Sequence, residues 1–249
     1  MSVLVLLVFI GLLGFFFLLT RRQGARNVGL REVEAWKQLP TLIGAAVESG
    51  RRMHLSLGHG VLGQPDTATL LAGLNTVSQI AAVTVVSDKP PVITTADGAT
   101  ALLAQDLVRQ AYRQQNAGEQ YRDDAARVVG LSPLSFNGAL TAVVRDEAVA
   151  GSVFIGSVGP EVALLTEAGQ RAGAPTFAGS DNVAGQAVLF AAADQALLGE
   201  DVYSAGAYLS RAPAFVASLR AQDVMRWLIV GAMLAGILWT TVQSFVGQP

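Results

Sequence analysis

Cysteine is absent from the 249 residues, so the chain forms no disulfide and offers no thiolate to a metal or a reaction. That absence fits a reducing compartment. Histidine occurs only as His54 and His59, a spacing that matches no zinc motif, and no metal site is expected. An excess of positive charge is also missing. With 17 basic and 19 acidic side chains there is no field to hold a nucleic acid, and none is expected as a partner. Charge is missing altogether from the two ends: every charged side chain lies between Arg21 and Arg226.

The charge-free ends are apolar. Ser2 to Leu19 and Trp227 to Val246 each have about the 20 residues that a helix rising about 1.5 Å per residue needs to cross a hydrocarbon core about 30 Å thick. Arg21, Arg22, Arg26 and Arg31 follow the first stretch, and Arg211, Arg220 and Arg226 precede the second. Basic flanks stay on the cytoplasmic side. The expectation is a two-pass protein of the cell membrane, with the lipid bilayer as its first partner, both termini outside and the core in the cytoplasm. A cleaved signal peptide would carry its basic residues before the apolar stretch and a small-residue site after it; Thr20-Arg21-Arg22 offers neither, so the first stretch reads as a retained anchor. The chain then divides into an N-terminal transmembrane helix (1–20), a linking helix (21–50), a cytoplasmic α/β domain (51–213), and a helix continuing into the C-terminal transmembrane segment (214–249).

Within the core, Leu30 to Ser49 has helical spacing, with Leu30, Val33, Trp36 and Leu39 on one stripe and a kink or split at Pro40. Met53 to Leu57 reads as a strand, and Asp66 is placed to cap a helix from Thr67 to about Ile80. Ala82 to Val86 and Val92 to Thr95 are the next strand candidates. A helix from Ala99 to Gln115 follows, with Leu102, Leu103, Leu107 and Tyr112 inward. Tyr121 to Val129 reads as a short helix. Ser132-Pro133 has the form of a cap with proline at the first helical position, although Leu140 to Val144 could equally be a strand. A strand at Val149 to Gly156, a helix from Pro160 to about Arg171, a strand at Pro175 to Ala178 and a helix from Val183 to Leu198 complete the alternation. That order predicts an α/β fold: a Rossmann-like, doubly wound, mainly parallel sheet flanked by one N-terminal and one C-terminal transmembrane helix. From about Ala214 a helix runs into the second apolar stretch, since neither Gly nor Pro interrupts Phe215 to Val230.

One motif suggests chemistry. Gly58-His59-Gly60-Val61-Leu62-Gly63 is a G-x-G-x-x-G after a strand, where glycines permit a tight turn and a close approach of backbone amides to a pyrophosphate. Asp88, at the end of the strand expected next, is placed to hold a ribose hydroxyl. Gln64-Pro65-Asp66 separates the glycines from the helix, which displaces its amino terminus from a phosphate, and Lys89-Pro90-Pro91 stands where the next helix should begin. Two other loops have similar composition: Gly156-Ser157-Val158-Gly159 and Gly179-Ser180-Asp181-Asn182. With Thr94, Thr95 and Asp97 they can surround one small anionic ligand, a nucleotide or a dinucleotide; the alternative is that any α/β fold needs small turn residues there. No cofactor is required by the sequence. His54 shares a strand face with Ser56 and reads as a satisfied core histidine, whereas His59 lies in the glycine turn.

Catalytic constellations are missing. No G-x-S-x-G elbow occurs, Ser157 and Ser180 have no histidine base in sequence, and the pairs Asp123-Asp124, Asp146-Glu147 and Glu200-Asp201 are adjacent residues that point apart on a helix. In the second apolar stretch, Gly231 and Ala235, and Ala232 and Gly236, repeat small residues at one-turn spacing, which lets helices approach closely.

His54-Leu55-Ser56-Leu57-Gly58, Ser87-Asp88-Lys89-Pro90-Pro91, Leu103-Ala104-Gln105-Asp106, Ala191-Ala192-Ala193-Asp194 and Ala221-Gln222-Asp223-Val224 together resemble a family of uncharacterised prokaryotic membrane-anchored proteins. The resemblance implies a two-helix anchor with an α/β core and carries over no activity and no catalytic residue. The leading expectation is a non-enzymatic, membrane-held scaffold or subunit of a homo- or hetero-oligomeric assembly. A membrane-tethered nucleotide or metabolite sensor is the alternative, and a dinucleotide-dependent oxidoreductase a third.

Overall fold

The computed structural model describes residues 7–8, 10–12, 14–15, 18, 30–85, 87 and 89–246. Residues Arg31–Ser210 form one compact unit. Its elements are α1 (Glu34–Glu48), β1 (Met53–Gly58), α2 (Thr67–Thr84), β2 (Val92–Thr95), α3 (Gly98–Gln114), β3 (Ala126–Val128), α4 (Pro133–Asp146), β4 (Gly151–Ser157), α5 (Ala163–Ala172), β5 (Thr176–Gly179), α6 (Val183–Ala192) and β6 (Gln195–Leu197). Every strand pairing is parallel, in the order β3-β2-β1-β4-β5-β6. This is the strand order of a doubly wound sheet, with its reversal between β1 and β4.

Side chains alternate across the sheet and feed two cores. Leu55, Ile93, Val153 and Phe177 pack with Trp36, Leu39, Leu70 and Val108 from α1, α2 and α3. On the other face Val92, Phe154 and Ala178 pack with Phe136, Leu140, Leu165 and Leu189 from α4, α5 and α6. Right-handed crossovers place α2 and α3 on one face and α5 and α6 on the other, and α1 packs on the first face against α2 and β6. Its Trp36 is buried and donates from Nε1 to Ser204 Oγ at 2.7 Å, and Gln195 Nε2 donates to Gln38 Oε1 at 3.1 Å. The helix read as a link thus contributes to the core, and it runs without a break through Pro40.

His54 is fully buried on the α4 face, as a core histidine should be. Its Nδ1 lies 3.1 Å from Ser152 Oγ and its Nε2 2.9 Å from Thr94 Oγ1, so a polar rung crosses three adjacent strands. Burial pushes its pKa down to about 4, because a charged ring would lose its hydration.

Four elements depart from the sequence expectation. Ala82 to Val86 is not a strand: through Val85 it continues α2 and its carboxyl cap, because Val77, Ile80, Ala81 and Thr84 keep the helical period and Thr84 Oγ1 donates to Ile80 O at 2.9 Å. Val86 lies outside the described residues. Tyr121 to Val129 is not a helix, since Ala126–Val128 is the edge strand beside β2, preceded by a 3-10 turn at Gly118–Gln120. The helix from Val183 stops at Ala192: Ala193 is extended, and Asp194 accepts from Thr176 N at 2.8 Å, which aligns β6 beside β5. Along α3 the small side chains Ala101, Ala104, Val108 and Ala111 face the sheet, while Leu102 and Leu103 are exposed. Asp66 precedes α2 as expected but makes no capping hydrogen bond. Leu140 to Val144, open between helix and strand, lies in α4, which Ser132 caps through Ser135 N.

The remaining described helix, α7 (Pro213–Val246), spans 34 residues in a separate unit. Over Pro213–Gln243 it is long and apolar enough to cross a membrane, and it is the one such helix among the described residues. Of the first apolar stretch only part is described, its residues helical; Arg21, Arg22 and Arg26 lie outside the described residues.

Candidate functional site

In a doubly wound sheet the ligand crevice opens at the carboxyl ends of the two strands flanking the reversal, here Gly58 and Ser157. The structure brings Gly58, His59, Gly60, Ser157 and Gly159 to this point. Gly58 has φ +65 and pairs with Ser157 after a register shift, and a Cβ there would sit 2.6 Å from Ser157 O. Gly156 is just as constrained, since a Cβ would lie 2.2 Å from Leu57 O. Both glycines are therefore required by the approach of β1 to β4.

Several polar groups at the crevice are bonded within the chain. His59 N donates to Ser157 O at 3.1 Å, Ala96 N to Gly58 O at 3.0 Å, and Thr100 Oγ1 to Gly60 O at 3.2 Å. Asp97 caps α3 through Thr100 N at 2.8 Å, and Asn182 caps α6 through Gly185 N at 3.1 Å. Ser180, fully buried, accepts from Val158 N at 3.1 Å and Asn182 N at 3.2 Å and donates to Val158 O at 2.9 Å, tying the end of β5 to the end of β4. Gly63, at φ +82, turns the loop that ends at Asp66.

Electrostatics point the same way. From the loops after β1 to β5 through the first turns of α2 to α6 there is no Lys or Arg, and the acidic side chains are Asp66, Asp97, Glu161 and Asp181. A Cβ on Gly159 would lie 2.7 Å from Glu161 Oε2, which places a carboxylate beside the crevice. A dianion would meet repulsion here, offset only by the helix amino termini. The glycine fingerprint also lacks its acid. The strand that follows β1 in the chain and pairs with it is β2, so the first acid after its carboxyl end is Asp97, already engaged as a cap; Asp88 precedes β2 and lies outside the described residues.

Three buried polar atoms in the loops at this edge have no partner: His59 Nε2, Asp66 Oδ1 and Asp181 Oδ1. The His59 ring packs edge-on against Phe136 from α4, with centroids 4.7 Å apart. No group of three or more His, Cys, Asp or Glu side chains able to hold a metal ion occurs among the described residues. Sequence reasoning missed Thr100, Phe136 and Glu161. Asp97 and Thr100, and Asn182 and Gly185, have the three-residue spacing of a cap, a usable signal. Nothing in the sequence pairs Phe136 with His59.

The model of the DUF6754 family, described as a domain of unknown function, matches residues 1–249, and the chain belongs to that family. No curated protein and no solved structure matches.

Proposed function

We propose that this DUF6754 chain is a non-enzymatic scaffold or subunit of an oligomeric membrane assembly, its α/β domain held against the bilayer. The observation that supports the reading is that the loops at the crevice of a doubly wound sheet are tied by the chain's own hydrogen bonds and bordered by carboxylates, while a 34-residue helix is long and apolar enough to cross a membrane. The finer topology follows from charge: with basic flanks at Arg21, Arg22, Arg26 and Arg31 and at Arg211, Arg220 and Arg226, two helices anchor the chain, both termini lie outside and the domain is cytoplasmic. Light scattering on the full chain extracted in mild detergent tests the assembly. A particle holding several protein chains supports it, and a protein mass of one copy overturns it.

His59 favours a second reading, a sensor for a nucleotide or metabolite, because its Nε2 is buried without a partner beside the crevice. Calorimetry of the solubilised chain with nucleotides and phosphorylated metabolites tests this, and no heat across the panel removes it.

A further inference from the structure

The exposed large apolar side chains of residues 31–210 are distributed unevenly. Val61 and Leu62 lie on the glycine loop, Leu102 on the second turn of α3, Leu131 and Leu134 at the start of α4, and Val183 at the start of α6. These positions all belong to the carboxyl edge of the parallel sheet. Leu131 is 81% exposed, Val183 81% and Leu102 68%. Among the described residues of this unit only Val83 and Phe190 are large, apolar, exposed and at the far ends of their helices. Single exposed apolar residues are ordinary, but their concentration at one end of a domain marks a surface that is covered.

Charge is divided along the same axis. The carboxyl edge carries Asp66, Asp97, Glu161 and Asp181 without Lys or Arg in the loops after β1 to β5, and after β6 Arg31 is bonded to both Glu200 and Asp201. Basic side chains such as Arg51, Arg52, Arg113, Arg145 and Arg171 sit at the opposite edge, before strands or at the carboxyl ends of helices.

We infer that the carboxyl edge of the sheet is a docking surface for a protein segment that carries Lys or Arg beside apolar side chains. The apolar loops supply the buried centre and the carboxylates a rim of complementary sign, which sets orientation and suppresses acidic partners. An anionic bilayer surface would be repelled by the same carboxylates. The inference rests on the assembly reading and names the face through which assembly occurs.

A photo-crosslinking amino acid placed singly at Leu131, Leu134 and, as control, Phe190 of the full chain in its membrane tests this, with the crosslinked peptides sequenced. The edge positions are expected to give at least a tenfold higher yield than Phe190, into a segment of net positive charge with apolar residues. Glu161→Lys in the same chain is expected to cut that yield severalfold. Crosslinks to lipid, crosslinks into an acidic segment, equal yield from Phe190, or no crosslink at the edge overturns the inference. A multichain extracted particle without edge crosslinks overturns the edge alone, whereas a single-chain particle overturns the assembly reading as well.

Discussion

Acidification should weaken the fold through His54 by a calculable amount. The ring is sealed between Ser152 and Thr94, and its pKa falls from 6.5 to about 4 because burial disfavours the charged form. The unfolded chain takes up a proton as pH falls through about 6.5, while the folded chain resists it until about pH 4. The contribution is therefore fully present above the unfolded value and is lost as pH falls through the interval between the two. At about 1.36 kcal/mol per unit, the loss between pH about 7.5 and about 4.5 is roughly 2.5 kcal/mol. Urea unfolding of the full chain in detergent, followed by tryptophan fluorescence, measures it at each pH. His54→Gln keeps polar contacts without a titrating ring, so carboxylate effects common to both proteins cancel in the difference. The stability of the native chain minus that of His54→Gln should fall by roughly 2.5 kcal/mol across the interval. A difference independent of pH would refute the claim that His54 is held neutral by burial.

Four further substitutions probe the frame and the crevice by the same unfolding measurement. Gly73→Ala places a Cβ 2.4 Å from Ile155 O, so α2 must lift from the sheet at a cost of about 3 kcal/mol, whereas Gly138→Ala in the open interior of α4 should stabilise by about 0.5 to 1 kcal/mol. Asp97→Ala removes the cap of α3 and should cost about 1 kcal/mol. Ser180→Ala leaves buried groups of the β4 and β5 loops without their bridge and should cost about 2 kcal/mol; no loss would mean that the crevice is not closed by these bonds.

The alternation of strands and helices was legible where periodicity is strong. β1, β2, β4 and β5 coincide closely with Met53 to Leu57, Val92 to Thr95, Val149 to Gly156 and Pro175 to Ala178, and α7 continues into the second apolar stretch without a break. The edge strands β3 and β6 were not legible, because each is three residues long and is defined by its neighbour in the sheet. Ala82 to Val86 misled because β-branched residues in a helix buried on most sides resemble a strand. Leu102 and Leu103 misled because α3 approaches the sheet through alanines, leaving the larger side chains outside.

The glycine motif was visible as a pattern, but its meaning depended on pairing. Only the registration of β1 against β4 shows that Gly58 and Gly156 admit backbone of the chain itself, and only the placement of β2 shows that Asp97, not Asp88, stands at the end of the next strand. Cysteine labelling at Ser2 and Gln248 in sealed cells tests the proposed orientation. Labelling of both by an impermeant reagent is expected, and protection of both overturns it.

The most direct test of a membrane-held assembly subunit with a self-filled crevice is a structure of the detergent-extracted particle determined by electron cryomicroscopy. Several protein chains are expected in the particle and, at the reversal between Gly58 and Ser157, only the chain's own hydrogen bonds. A lone chain with a nucleotide seated against His59 would contradict it.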